Sequence, residues 1–189
     1  GSYNWQNTNS LGLYAYERPA SILPGYKVFA YRYTQPRGSL FFFSAYLKTN
    51  TDYASNTAIS GFSAIGVGIQ SSNVNNGYFA TLDVRNGITS TNAAFQLRKD
   101  NSGTVLAFDA TPNLIQAGSW YRITFRWTSA GLITANLYSE NGTLLSSLSA
   151  TDNTYTNGYL GVSSYSSSVF DNFTNISAQF TVVQTSIAS

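Results

Sequence analysis

Trp120-Tyr121-Arg122-Ile123-Thr124-Phe125-Arg126-Trp127 sets the fold class, because Tyr121, Ile123, Phe125 and Trp127 alternate with Arg122, Thr124 and Arg126. Successive side chains on a strand point to opposite faces, so the segment predicts a strand with one apolar and one polar face. A second strand, Leu132 to Tyr138, follows the Ser129-Ala130-Gly131 turn. Glu140-Asn141-Gly142-Thr143 then closes a hairpin, because Asn and Gly tolerate the positive φ that tight turns need. The outcome is a β-meander. Asp152-Asn153-Thr154-Tyr155 and Phe170-Asp171-Asn172-Phe173 extend the run as further parts of the same antiparallel sandwich.

Outward from this stretch, strand candidates recur at Leu11 to Tyr16, Tyr26 to Tyr33, Leu40 to Lys48, Ser60 to Gln70, Gly77 to Arg85, Ala93 to Arg98 and Thr104 to Ala110. Regular short strands separated by turn chemistry predict an all-β, two-sheet sandwich. Thr49 to Thr57, Gln70 to Asn76 and Ile88 to Asn92 are rich in small polar residues and are expected to be loops. No helix is expected: Asn113 to Gly118 is too short and ends at Gly, so it reads as a connecting turn.

The 189 residues, 43% of them hydrophobic, suit one substantial core, so residues 1–189 are expected to form a single domain, with Gly1-Ser2 an expression scar. No uninterrupted apolar run approaches a membrane span and no signal peptide is evident, which predicts a soluble domain without a membrane partner. Charged residues make up 10% of the chain, well below the roughly 25% usual for globular proteins. A net charge of +2, spread along the chain, lacks the concentrated positive field that nucleic acid requires. Cys and His are both absent, which excludes disulfides, thiolate metal sites and the commonest general base. The polar, uncharged composition and the sequons at Asn141, Asn172 and Asn175 point to an extracellular or cell-surface location.

Alternation also gathers Thr81, Asp83 and Arg85 on one sheet face beside Gln96 and Arg98 of the next strand, with Tyr78, Ala80, Leu82 and Val84 on the other. Such a face grips hydroxyls through paired hydrogen bonds; cross-strand Asp-Arg pairing on an ordinary solvated face gives the same pattern. Arg122 and Arg126, beside Trp120, form a second patch of this kind, with Trp120 expected at the edge of the core. With 14 Tyr, 12 Phe and 3 Trp, stacking platforms are available, although strands and cores also favour aromatics. Trp5 and Tyr155 are placed for stacking, and Tyr159 and Tyr165 flank Gly161 near the serine-rich Ser163 to Ser168 stretch.

Gly77 to Arg85, Phe95-Gln96-Leu97-Arg98, Val105-Leu106-Ala107, Gly118 to Arg122, Gly158 to Val162 and Phe170 to Phe173 resemble, in order, the concanavalin-A-like lectin/glucanase superfamily. The resemblance covers the last two thirds of the chain and is nearest to laminin-G-like and non-catalytic carbohydrate-binding modules. It implies a jelly roll holding sugar on its concave face or in loops at its rim. It also implies, for some members, a structural calcium ion near the paired chain ends. Asp171 then stands as a calcium ligand, with Glu17 the only early acidic partner; a surface Asp in an Asx-turn is the alternative.

Retaining glucanases that resemble this fold place Glu-x-Asp-x-x-Glu on one strand, so that nucleophile and acid flank the scissile bond. That motif does not occur here, where the only glutamates are Glu17 and Glu140. The expectation is therefore a non-enzyme: a carbohydrate-binding module that targets a larger secreted or surface protein to a polysaccharide. Its expected ligand contacts are Asp83, Arg85, Gln96, Arg98, Tyr155 and Tyr159. The alternative is a structural or adhesive surface domain that makes protein contacts through apolar anchors.

Overall fold

The structure, a computed structural model, describes residues 6–8, 15–17, 27–36, 42–48, 62–83, 94–101, 103–116, 118–164 and 169–175. Within them the chain forms β1 (Gln6–Thr8), β2 (Ala15–Glu17), β3 (Lys27–Pro36), β4 (Phe42–Lys48), β5 (Phe62–Ile69), β6 (Tyr78–Asp83) and β7 (Ala94–Lys99). It continues through β8 (Val105–Asp109), β9 (Trp120–Trp127), β10 (Leu132–Ser139), β11 (Leu144–Thr151), β12 (Asn157–Ser164) and β13 (Val169–Asn175). These make two antiparallel sheets, a seven-stranded one ordered β1-β2-β13-β4-β9-β10-β11 and a six-stranded one ordered β3-β12-β5-β6-β7-β8. The expected all-β sandwich is what the chain adopts.

The meander read from the sequence is β9-β10-β11. Its hairpins close where Gly131 N donates to Thr128 O at 3.0 Å and Gly142 N donates to Ser139 O at 3.0 Å. Asn141 strengthens the second turn by accepting at Oδ1 from the Thr143 amide, 3.2 Å away. After β11 the chain crosses to the six-stranded sheet as β12, between β3 and β5, and returns as β13 between β2 and β4. Asn113 to Gln116 forms a turn, as expected, and its Gln116 amide donates to the Tyr121 hydroxyl at 2.6 Å.

Between the sheets lies one core. Tyr121, Ile123, Phe125 and Trp127 from β9 and Ile133, Ala135 and Leu137 from β10 face Ile65, Val67, Tyr78, Ala80, Leu82, Phe95 and Leu97. Burying a large apolar side chain is worth about 1.5–3 kcal/mol, so the alternation of β9 is held by the face it hides. One backbone position shows how tightly the layers meet. Gly68 adopts φ +64°, and a Cβ there would lie 2.9 Å from the Trp127 ring, so only glycine fits without strain.

One expectation needs correction. A half-wet β6 was the ordinary alternative for the polar face, yet every β6 residue is buried, including the outward Phe79, Thr81 and Asp83. Ala64, Ile69 and Ser163 of neighbouring strands are buried outside the inter-sheet core as well. The six-stranded sheet is therefore covered on both sides around β6. Alternation assigns side chains to faces correctly but carries no information about what packs against each face.

Candidate functional site

Register brings the predicted polar group together. Thr81 stands opposite Gln96 and Phe79 opposite Arg98, and Arg98 Nη1 reaches Asp83 Oδ2 at 3.5 Å. The guanidinium also donates to the Gly103 carbonyl at 3.1 Å. With Asp83 5% and Arg98 7% exposed, the pair does not present its charges to solvent. Beside it, Thr81 Oγ1 and Gln96 Oε1 are buried without hydrogen-bond partners. Arg85 lies outside the described residues. Tyr159, half-buried in β12, shares this outer side through its pairing with Ile69.

Tyr155 belongs to a different cluster, at the end of the sandwich where the β5–β6, β7–β8 and β11–β12 loops meet. Its hydroxyl donates to Asp100 Oδ1 at 2.6 Å, and its ring edge rests on Tyr78, with centroids 5.3 Å apart. Tyr78 in turn lies edge-on to Trp127 at 5.5 Å and donates its hydroxyl to Asp152 Oδ1 at 2.6 Å. Lys99 Nζ completes the Asp152 carboxylate at 3.2 Å, and the Thr154 amide donates to it at 2.8 Å. Burial opposes charge on Asp152, but the hydrogen bonds from Tyr78, Thr154 and Lys99 outweigh it and hold the carboxyl well below the usual range. Burial, then the bond to Asp152, pushes the Tyr78 hydroxyl up to about 12. Burial and the Asp100 carboxylate raise Tyr155 as well. The cluster is saturated within itself, and its chemistry is that of a loop clasp.

At the opposite end the β8–β9 connection and the β10–β11 hairpin enclose an open cleft of about 570 Å³. Trp120 and Leu145 supply apolar wall; Asn113, Gln116, Asn141 and Glu140 supply amides and a carboxylate. Trp120 is 6% exposed and stands on the polar side of β9, in register with Lys48, whose Nζ lies 5.9 Å from the indole. Its place is the edge of the core, as expected, where it also forms part of the cleft wall. The sequence reading missed Asn113, Gln116 and Glu140, since they lie in separate connections and no local spacing joins them. The exposed Asn-Gly turn was the one available pointer.

The cleft opens beside the outer face of the seven-stranded sheet. Across that face Tyr46, Arg122 and Tyr138 form one cross-strand row, and Ser44, Thr124, Asn136 and Ser147 form the next. The Arg122 guanidinium lies over the Tyr138 ring, 4.5 Å from its centroid, and Ser147 donates to Asn136 Oδ1 at 2.7 Å. In the same sheet the register pairs Asp171 of β13 with Ala15 and Val169 with Glu17. Among the described residues no group of three or more metal-ligating side chains occurs.

In fold this arrangement, two antiparallel sheets packed face to face, resembles solved lectin-like sandwiches. The chain is similar to the carbohydrate-binding module CBM66 from Bacillus subtilis, with a TM-score of 0.62 and 15% identity over 92% of each chain. It is also similar to a Bacillus subtilis protein of unknown function with a galectin-like fold, at TM-score 0.58 and 17% identity, covering 90% of this chain and 85% of that one. Basic winged bean lectin, solved with Tn-antigen, matches at TM-score 0.53 and 11% identity, covering 85% of this chain and 87% of that one. No protein-family model matches the chain, and no curated protein does. At such identities the likeness establishes the fold.

Proposed function

We propose that the chain is a non-catalytic carbohydrate-binding module that holds a larger extracellular or cell-surface protein near a polysaccharide. The observation that carries this is the cleft, where exposed Asn113, Gln116, Asn141, Glu140 and Leu145 surround the narrow open edge of a largely buried Trp120. Sugars combine apolar C–H faces with hydroxyls, and ligand sites pair aromatic surface with a few placed polar groups. The lectin-like fold supports the same reading. Cleavage of a glycosidic bond ordinarily needs two carboxylates across the scissile bond, and the cleft lining offers Glu140 alone. In this reading Asp83, Gln96, Arg98 and Tyr155 serve as framework away from the cleft. A structural calcium ion would take oxygens from Asp171 and Glu17, which the β2–β13 register supports.

The test is a pull-down on insoluble polysaccharides together with a glycan array, each repeated with a chelator. Retention that falls about five- to ten-fold in Glu140→Gln and Asn141→Ala is expected. Absence of any retained sugar, alongside a detectable protein partner, overturns the proposal. The alternative protein-contact reading has its own observation: Phe108 is 64% exposed and lies with Val105 on β8, beside exposed Leu144 and Leu145 of β11.

A further inference from the structure

We infer that the saccharide recognised here is acidic, its carboxylate received by Arg122; this rests on the carbohydrate-binding reading above. Arg122 projects from β9 two residues past Trp120, and Tyr138 immediately precedes Ser139 and Glu140 of the cleft, so the pair stands on the sheet face one rung beyond the cleft lining. The guanidinium is stacked on Tyr138 at 4.5 Å, and its Nε is buried without a hydrogen-bond partner. Arg98 pairs with Asp83 and Lys99 with Asp152, whereas no ion pair of Arg122 occurs among the described residues. A buried donor of a charged group left unpaired is costly. A ligand acceptor at this position removes that cost.

The chemistry of that acceptor follows from the geometry of the donor. Stacking fixes the plane of the guanidinium and so reduces the freedom lost when it binds. Its planar fork matches a carboxylate through two parallel hydrogen bonds, whereas a neutral hydroxyl takes one and brings no counter-charge. Two further cations stand nearby. Arg126, exposed, lies two rungs along β9, and Lys48 lies over Trp120. Glu140 is the acidic residue of the cleft lining. Asp171 is two strands from Arg122, roughly 10 Å by ordinary strand spacing, with Tyr46 between them. Arg122 Nε is thus an unpartnered donor one rung from the cleft lining.

The experiment compares retention of the full chain on polygalacturonate, alginate and hyaluronate with retention on the carboxyl-reduced form of each. At least one acidic polymer should be held ten-fold or more tightly than its neutral counterpart. That preference should disappear in Arg122→Gln and be largely lost in Arg122→Lys, which keeps the charge but not the fork; both should melt with the parent. Equal retention of acidic and reduced forms, or an undiminished preference in Arg122→Gln, overturns the inference. Retention of neutral polysaccharides only does so too, while leaving the carbohydrate-binding reading intact. No retention on any glycan sinks that reading itself. The acid-against-reduced contrast needs no variant, so it decides the matter even if Arg122→Gln fails to fold.

Discussion

The Tyr78 hydroxyl donates to Asp152 Oδ1 at 2.6 Å, tying the loop after β11 to the start of β6 across 74 residues of sequence. The same hydroxyl accepts from the Tyr155 amide at 3.1 Å, and the Tyr78 ring meets Trp127 in the core. A tyrosine with an apolar body and a polar tip joins the packed interior to the loop end of the sandwich.

Tyr78→Phe keeps the ring contacts but leaves the Asp152 carboxylate one donor short. Hydrogen bonds to charged groups contribute about 1.5–3 kcal/mol, and the variant should lose that much in urea unfolding. Binding to any glycan retained by the parent should be unchanged, because the clasp lies at the end opposite the cleft.

Stability should be flat through neutral pH and fall at both extremes. The Asp152 carboxyl is held below its ordinary value, and the Asp109 carboxyl is too, through hydrogen bonds from Ser146 and Thr111. Groups with depressed folded-state values stabilise above the unfolded value near 4 and lose that contribution as pH falls below it. Tyr78 has the opposite sign: its contribution is full below pH 10 and lost as pH rises from there toward about 12. Denaturant midpoints measured from pH 2 to 12 check both limbs, and Tyr78→Phe should flatten the alkaline one.

Gly68→Ala places a methyl group against the Trp127 ring in a backbone region that L-residues avoid. Strain and overpacking each cost about 1–3 kcal/mol. At 2–4 °C per kcal/mol for a chain of this size, the melting temperature should drop by roughly 4 °C or more.

Arg98→Ala separates the two readings of the six-stranded sheet. As an open ligand contact, Arg98 would be removable at little structural cost. Buried with Asp83, it leaves an unpaired carboxylate behind, and breaking a buried pair costs about 3–5 kcal/mol. Calorimetry should therefore show a clearly lowered melting temperature. An unchanged melt with weakened glycan retention would return this face to the binding surface.

Glu140→Gln and Asn141→Ala alter exposed residues of the hairpin at the cleft mouth. Surface changes away from packed features stay within about 0.5 kcal/mol of parent stability, as expected for Glu140→Gln; Asn141→Ala also removes the acceptor of the Thr143 amide in the turn and should cost about 1 kcal/mol. Glycan retention should fall about five- to ten-fold in isothermal titration, the loss of one hydrogen bond of about 1 kcal/mol or slightly more.

The strands from Trp120 onward were legible in the sequence because their information is local. Alternation at Trp120 to Trp127 and the positive φ at Gly131 and Gly142 mark faces and turns from neighbouring residues alone. The same period correctly gathered Asp83, Gln96 and Arg98 on one face. Their burial was not legible, because it depends on what packs against that face. The cleft was hidden for a related reason: Gln116 and Glu140 are 24 positions apart and meet only where two loops share an end of the sandwich.

Residue order by itself determined a sandwich of short strands, a chain without Cys or His chemistry, and the side of each strand on which a residue falls. Tertiary structure alone decided that Arg98 is covered and that Arg122 is stacked on Tyr138, with Trp120 set in a cleft wall. Pairing register and sheet order fix these relations, and both arise from contacts between strands distant in sequence, which no local pattern encodes.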